Sequence, residues 1–209
     1  MILGKNFPKN RLKKHGDLFW SCFKSIIMFK LKYLILFFRI VKFKIKFPKR
    51  LKIKSLRIGF EEKIKIIIKG QTSFILLNKN VYLMRNGNIE AYDGGKIEIG
   101  SNVSINKNFS IVSRDKIIIG NNVSIGPNCC IYDHDHQFND SLINIRDQGY
   151  ETREIKIGNN VWIASNVFIG KGVKIGDGSV IGSGSVVVKD IEKHTVVGGV
   201  PAGFIKNII

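Results

Sequence analysis

Between Ile157 and Val187 the sequence repeats every six residues, and that period constrains the fold more tightly than anything else in the chain. Small or aliphatic residues recur at Val161, Val167, Val173, Ser179 and Ser185. A second ladder, Ile163, Ile169, Ile175, Ile181 and Val187, stands two residues further on. Two inward side chains flanking one outward side chain make a short strand of period two. Gly158, Gly170, Gly176 and Gly182 follow the aliphatic positions, and Gly, Asn, Asp and Ser between strands tolerate the positive φ of a tight corner. Strand and corner alternating at fixed spacing predict a solenoid in which each rung buries its face on the next. Upstream, Ile97, Ile99, Val103, Ile105, Phe109 and Ile111 lead into Ile117, Ile119, Val123, Ile125, Cys129 and Ile131. Each group, with its corner, spans about eighteen residues, the size of one three-sided coil.

The ladder breaks once, between Ile131 and Ile155, where YDHDHQFNDSLINIRDQGYETRE has no six-residue period. A solenoid accommodates such a stretch as a loop thrown outward from a corner, and loops of this kind often carry function. Before the repeat, Pro48–Gly70 alternates apolar and charged residues, as irregular capping rungs do. The chain therefore divides into an N-terminal segment, 1–56, and a solenoid domain, 57–209, with an insertion at 132–155.

Charge is concentrated at the N-terminus. Of the net +18, residues 1–54 supply +15, with sixteen Lys and Arg against Asp17 alone. Residues 17–47 are apolar but interrupted by Lys24, Lys30, Lys32, Arg39, Lys42, Lys44 and Lys46. Charge-free runs such as Tyr33–Phe38 fall far short of the roughly 20 residues that span a bilayer. A helix mixing bulky apolar and basic side chains suits the cytoplasmic face of a membrane, its lysines meeting anionic headgroups. The plainer alternative is a helical segment packing on the solenoid or on another copy. Nucleic acid is not the expected partner, because no recognised nucleic-acid module accompanies the charge. No small-residue cleavage site follows Met1–Gly16, so a secretory signal is not expected and a cytoplasmic location is. Three cysteines without a CxxC pair fit a reducing compartment, and Cys129, on the inward ladder, reads as a packing residue.

The interrupting loop opens with Asp133-His134-Asp135-His136. A neutral imidazole takes a proton from a hydroxyl near pH 7, and a carboxylate on its other nitrogen fixes the tautomer. Two His and two Asp also suit a metal, but a closed site needs further ligands, and His15 and His194 lie at the chain's ends. No metal is expected.

The blocks IGNNVSIGPNCCIYDHDH, IKIGNNVWIASNVFIGKGVKIGDGSVIGSGSVVVKDI and GGVPAGFIKNI resemble the bacterial hexapeptide-repeat acetyltransferases. The resemblance is to the maltose/galactoside O-acetyltransferase group, and especially to its relatives that modify capsule, O-antigen and other surface polysaccharides. It covers about half the chain and implies an all-β, left-handed parallel β-helix, an exception to the right-handed crossover rule. It also implies a homotrimer with active sites in the clefts between neighbouring coils, acetyl-CoA as donor, a carbohydrate acceptor and a histidine base. By position the base falls on His136, with His134 orienting the acceptor or joining the acidic network of Asp133 and Asp135. Asn106 matches an acceptor-binding position, and Asp133 and Asp135 are acceptor-binding candidates with it. Trp162, Ser165, Ser183, Lys189 and Lys206 match positions along the donor. The implied function is O-acetylation of a sugar hydroxyl on a surface polysaccharide or its lipid-linked precursor at the inner membrane face. N-acetylation of a nucleotide-linked amino sugar and a non-catalytic trimeric scaffold are the alternatives. The DHDH loop and the basic N-terminus depart from the enzymes of free disaccharides. Gly203 stands where the terminal motif commonly carries a basic residue.

Overall fold

The computed structural model describes residues 31, 34–54 and 59–209. The chain divides into two compact units, 1–40 and 41–209. Most of the basic segment read as a membrane-surface element therefore lies outside the described residues. Residues 34–46 are helical, and no helix among the described residues is long and apolar enough to cross a membrane.

The second unit is a parallel β-helix. Its first sheet stacks Leu51–Ile53, Phe74–Leu77, Lys96–Ile99, Lys116–Ile119, Ile155–Ile157 and Lys174–Ile175. The second runs from Gly59–Phe60 through Val81–Leu83, Val103–Ile105, Ser124–Ile125, Trp162–Ile163 and Val180–Ile181 to Thr195–Gly198. The third stacks Lys65–Ile68, Asn88–Ala91, Ser110–Ser113, Cys130–Tyr132, Phe168–Ile169 and Val186–Val187. Strand pairing in the first sheet begins at Leu51, which pairs with Ile75. At the other end Gly203–Asn207 folds back antiparallel on Thr195–Gly198 and covers that edge of the second sheet.

Register turns the two sequence ladders into columns. Ile97 pairs with Ile117 and Ile117 with Ile155; Ile105, Ile125, Ile163 and Ile181 follow one another in the second sheet. These isoleucines are almost wholly buried, so the core is a stack of β-branched side chains down the axis. Coil length, however, is not constant. Ile157 pairs with Ile175 eighteen residues on, whereas Ile97 pairs with Ile117, because the third-sheet strand Ser110–Ser113 runs two residues longer and buries Ser113.

Of the residue types expected at the corners, asparagine carries most of the positive φ. Positive φ falls on Asn80, Asn102, Asn122 and Asn160 at one corner and on Asn86, Asn108, Asn128 and Asn166 at the next. Their amides stack, Asn108 Nδ2 donating to Asn128 Oδ1 at 3.0 Å and Asn128 Nδ2 to Asn166 Oδ1 at 2.9 Å. Gly120, at ordinary φ, is instead required by close approach, since a Cβ there would lie 2.5 Å from the Gly158 carbonyl oxygen.

Candidate active site

The insertion leaves the solenoid at the corner between the third and first sheets and forms a two-stranded hairpin. His134–His136 pairs antiparallel with Tyr150–Thr152, setting His134 opposite Thr152, Asp135 opposite Glu151 and His136 opposite Tyr150. At the tip, Gln148 Nε2 donates to the carbonyls of Asp140 and Ile143, at 2.7 and 2.8 Å. The tip still leaves Phe138, Leu142, Ile143 and Ile145 exposed.

Asp133 anchors this hairpin. Its carboxylate is wholly buried. It accepts from Ser113 Oγ at 2.7 Å and from the backbone N–H groups of Arg114 and Asp115 at 2.8 and 3.0 Å. The fourth partner is His134 Nδ1, at 3.0 Å. Burial alone would raise the Asp133 pKa, but these four donors outweigh it and hold the group below the usual carboxylate range. Asp133, an acceptor-binding candidate by sequence, has its carboxylate engaged within the protein, because the longer third-sheet strand delivers Ser113 beneath it.

The carboxylate–imidazole pair therefore belongs to His134, which is half-buried, lies 6.1 Å from the Tyr132 ring and meets Tyr150 edge-on at 5.4 Å. His136 is exposed and packs on the Tyr150 ring at 4.5 Å. Asp135 faces Glu151 across the hairpin, a like-charge pair that would repel. Lys171, from the following coil, resolves this by reaching Asp135 Oδ2 at 2.8 Å and Glu151 Oε2 at 2.7 Å. The bonds to Asp135 and Glu151 raise the Lys171 pKa, and that to Lys171 lowers the Glu151 pKa.

The remaining candidates fall elsewhere. Ser165 and Ser183 lie at the corner between the second and third sheets, their hydroxyls 3.2 Å apart. The asparagine column beside them ends at Gly184, whose φ is +73° and beside which a Cβ would meet nothing within 4 Å. Asn106 occupies the same corner two coils earlier, its Oδ1 accepting from the Lys107 N–H at 2.8 Å. Trp162 projects from the second sheet with 56% of its surface exposed. Lys206 is exposed on the terminal strand, opposite Val196. Lys189 is exposed at the hairpin's corner, two coils on. A single chain thus brings Asp133, His134, Asp135 and His136 together on one corner. It holds Asn106, Trp162, Ser165, Ser183 and Lys206 on another corner or sheet.

Sequence reasoning missed Lys171, Tyr150, Glu151 and Arg114. Lys171 was reachable, since Ile131 pairs with Ile169 and the same register sets Lys171 below Asp133. The hairpin partners carried no periodic signal. Cys129 is buried, its thiol donating to the Ala164 carbonyl at 3.1 Å, and burial pushes its pKa up, so it offers no thiolate nucleophile. Among the described residues no group of three or more His, Cys, Asp and Glu is gathered to hold a metal.

The bacterial transferase hexapeptide (six repeats) family matches residues 154–189. Among solved structures, a maltose O-acetyltransferase from Clostridium difficile 630 is 34% identical, with 73% of this chain and 71% of that chain covered and a TM-score of 0.53. The chain belongs to the hexapeptide-repeat acetyltransferases. A galactoside acetyltransferase in complex with coenzyme A is 36% identical over 70% of this chain and 66% of that chain, with a TM-score of 0.53. A hexapeptide-repeat-containing acetyltransferase of Vibrio cholerae O1 biovar eltor, complexed with acetyl coenzyme A, is 27% identical over 72% and 71%, with a TM-score of 0.52. No curated protein matches the chain. Membership of this family makes the solenoid a left-handed β-helix and the chain an acyltransferase.

Proposed function

We propose that this acetyltransferase moves an acetyl group from acetyl-CoA to a sugar hydroxyl of a surface polysaccharide or its lipid-linked precursor, with His136 as general base. The observation that carries the reading is an exposed imidazole, on a hairpin clamped to the coil, at the one break in a hexapeptide ladder. In the step we propose, His136 takes the proton from the acceptor hydroxyl as its oxygen bonds to the thioester carbonyl carbon. The carbon–sulfur bond then breaks, and the leaving thiolate recovers the proton from the imidazolium as CoA thiol. No acyl-enzyme is needed.

Ser165 and Ser183 would flank the pantetheine arm along the corner that Gly184 leaves open, with Trp162, Lys189 and Lys206 along the rest of the donor. Asn106 would bind the acceptor. Because Asn106, Ser165 and Ser183 occupy a different corner of the prism from His136, a site using both draws them from two copies, which supports a homotrimer. The basic N-terminal segment would hold the enzyme against the cytoplasmic membrane face, where a lipid-linked acceptor resides.

A second reading is favoured by one observation. The Asp133–His134 hydrogen bond is the arrangement that orients a general base, and it makes His134 the alternative catalyst. Ester content of the host polysaccharide separates the two, measured before and after mild base with the wild type, His136→Ala and His134→Ala. Base-labile acetyl lost only with His136→Ala supports His136; loss only with His134→Ala transfers the role. Base-stable acetyl that depends on the protein would indicate N-acetylation, and acetylation unchanged without the protein would remove this acceptor class.

A further inference from the structure

We infer that Tyr150, held in place by Arg114, is a positioning residue that sets the two imidazoles of the hairpin; the inference rests on the acetyl-transfer reading above. The Arg114 guanidinium lies 3.6 Å from the centre of the Tyr150 ring, direct stacking contact. The same ring meets His136 at 4.5 Å and His134 at 5.4 Å. Tyr150 also stands directly opposite His136 in the hairpin register, so the contact is fixed by backbone pairing as well as by packing. One ring therefore touches a fixed cation and both candidate bases.

Arg114 is itself restrained. It pairs with Asp93 and stands 5.4 Å from the Tyr92 ring. Burial, then the hydrogen bond to Glu90, pushes the Tyr92 hydroxyl pKa up to about 12, so it stays protonated and donates to Glu90 at 2.5 Å. The Arg114 Nε is buried and has no hydrogen-bond partner among the described residues. An unpartnered buried N–H is costly, so hydrogen bonding at Nε is not what places this side chain. The ion pair with Asp93 and the contacts with the Tyr92 and Tyr150 rings place it.

The same three residues grip both strands of the hairpin. Ser113 and the backbone of Arg114 and Asp115 bind Asp133 before the first strand, while the Arg114 side chain covers Tyr150 on the second. The coil beneath the hairpin thus fixes the imidazoles from two sides: His134 through a carboxylate, and both rings through Tyr150.

The test compares Tyr150→Phe, Tyr150→Leu and Arg114→Leu in the full-length protein. Acetyl-CoA affinity, kcat for transfer, and the NMR positions of the histidine ring protons are measured for each. A ring-only role predicts that Tyr150→Phe keeps kcat within about twofold, whereas Tyr150→Leu loses roughly 10- to 100-fold with acetyl-CoA affinity unchanged. Arg114→Leu keeps the ring but removes the clamp that holds it against the imidazoles, so the ring is no longer fixed and kcat falls by about tenfold. In both leucine variants the His134 and His136 ring protons lose the shift imposed by the tyrosine ring; in Tyr150→Phe they keep it. Wild-type kcat in Tyr150→Leu would overturn the inference, as would Tyr150→Phe losing as much as Tyr150→Leu, or histidine signals that do not move. Should the wild type transfer no acetyl group, the transfer reading fails separately, and the histidine signals alone decide whether Tyr150 sets the rings.

Discussion

Replacing Asp133 by Asn isolates what its charge does, because the side chain keeps its volume. One carboxylate oxygen receives Ser113 Oγ and the Asp115 N–H; the other receives the Arg114 N–H and His134 Nδ1. An amide has one oxygen, so in either orientation its NH₂ confronts a backbone N–H that loses its acceptor. An unsatisfied buried donor costs about 1–3 kcal/mol, and weakening the remaining bonds from charged to neutral adds roughly 1 kcal/mol. The expected loss is about 2–4 kcal/mol for the local structure, or ~30- to 1,000-fold faster exchange of the Arg114 and Asp115 amides at neutral pH. The sign with pH follows from the depressed pKa of Asp133. Its stabilisation is complete above the unfolded value of about 3.9 and is lost as pH falls through the lower folded value. The difference between wild type and Asp133→Asn should therefore be full at pH 7 and shrink in strong acid. Hydrogen exchange followed by mass spectrometry reads both. Equal protection of residues 113–115 in the two proteins at pH 7, or a difference that does not fall with acid, would refute the anchor.

Lys171→Met should leave Asp135 without its cation, facing a Glu151 paired with Arg153 alone, and limited proteolysis should then nick residues 137–149 faster at pH 7 than at pH 4. The wild type should show no such acid protection while Lys171 is charged. Gly120→Ala should push a methyl against the Gly158 carbonyl and lower thermal stability by about 1–3 kcal/mol for overpacking between two backbones, whereas Gly184→Ala should cost about 1–2 kcal/mol through its left-handed φ alone, since the space there is open. Co-expression of His136→Ala with Ser183→Trp, each inactive alone, should restore on the order of a quarter of the sites in mixed trimers. No recovery would place the histidine and the serine corner in separate sites.

Much of the fold was legible because hexapeptide spacing is a direct image of the structure: Ile163, Ile169, Ile175 and Ile181 point inward as their period requires. What the spacing concealed is the two-residue lengthening at Ser110–Ser113, since a buried serine breaks no polar pattern. Yet that residue positions Asp133. Gly, Asn, Asp and Ser were read together as corner residues; the spacing did not show that asparagine carries most positive-φ corners or that Gly120 is there for close approach. Both histidines stand out in the sequence. Their surroundings do not, because Tyr150 meets them through hairpin pairing, and Glu151 and Lys171 meet the intervening Asp135 through hairpin pairing and coil stacking. The separation of Ser165 and Ser183 from His136 became visible only when the corners were assigned.

The most direct test of the account uses purified protein, radiolabelled acetyl-CoA and isolated surface polysaccharide or its lipid-linked precursor, comparing wild type with His136→Ala. The account predicts base-labile label on the glycan with the wild type, a roughly 10²- to 10⁴-fold loss with His136→Ala, and unchanged acetyl-CoA binding in the variant. Equal transfer by the two proteins, or none by a wild type that binds acetyl-CoA, would contradict it.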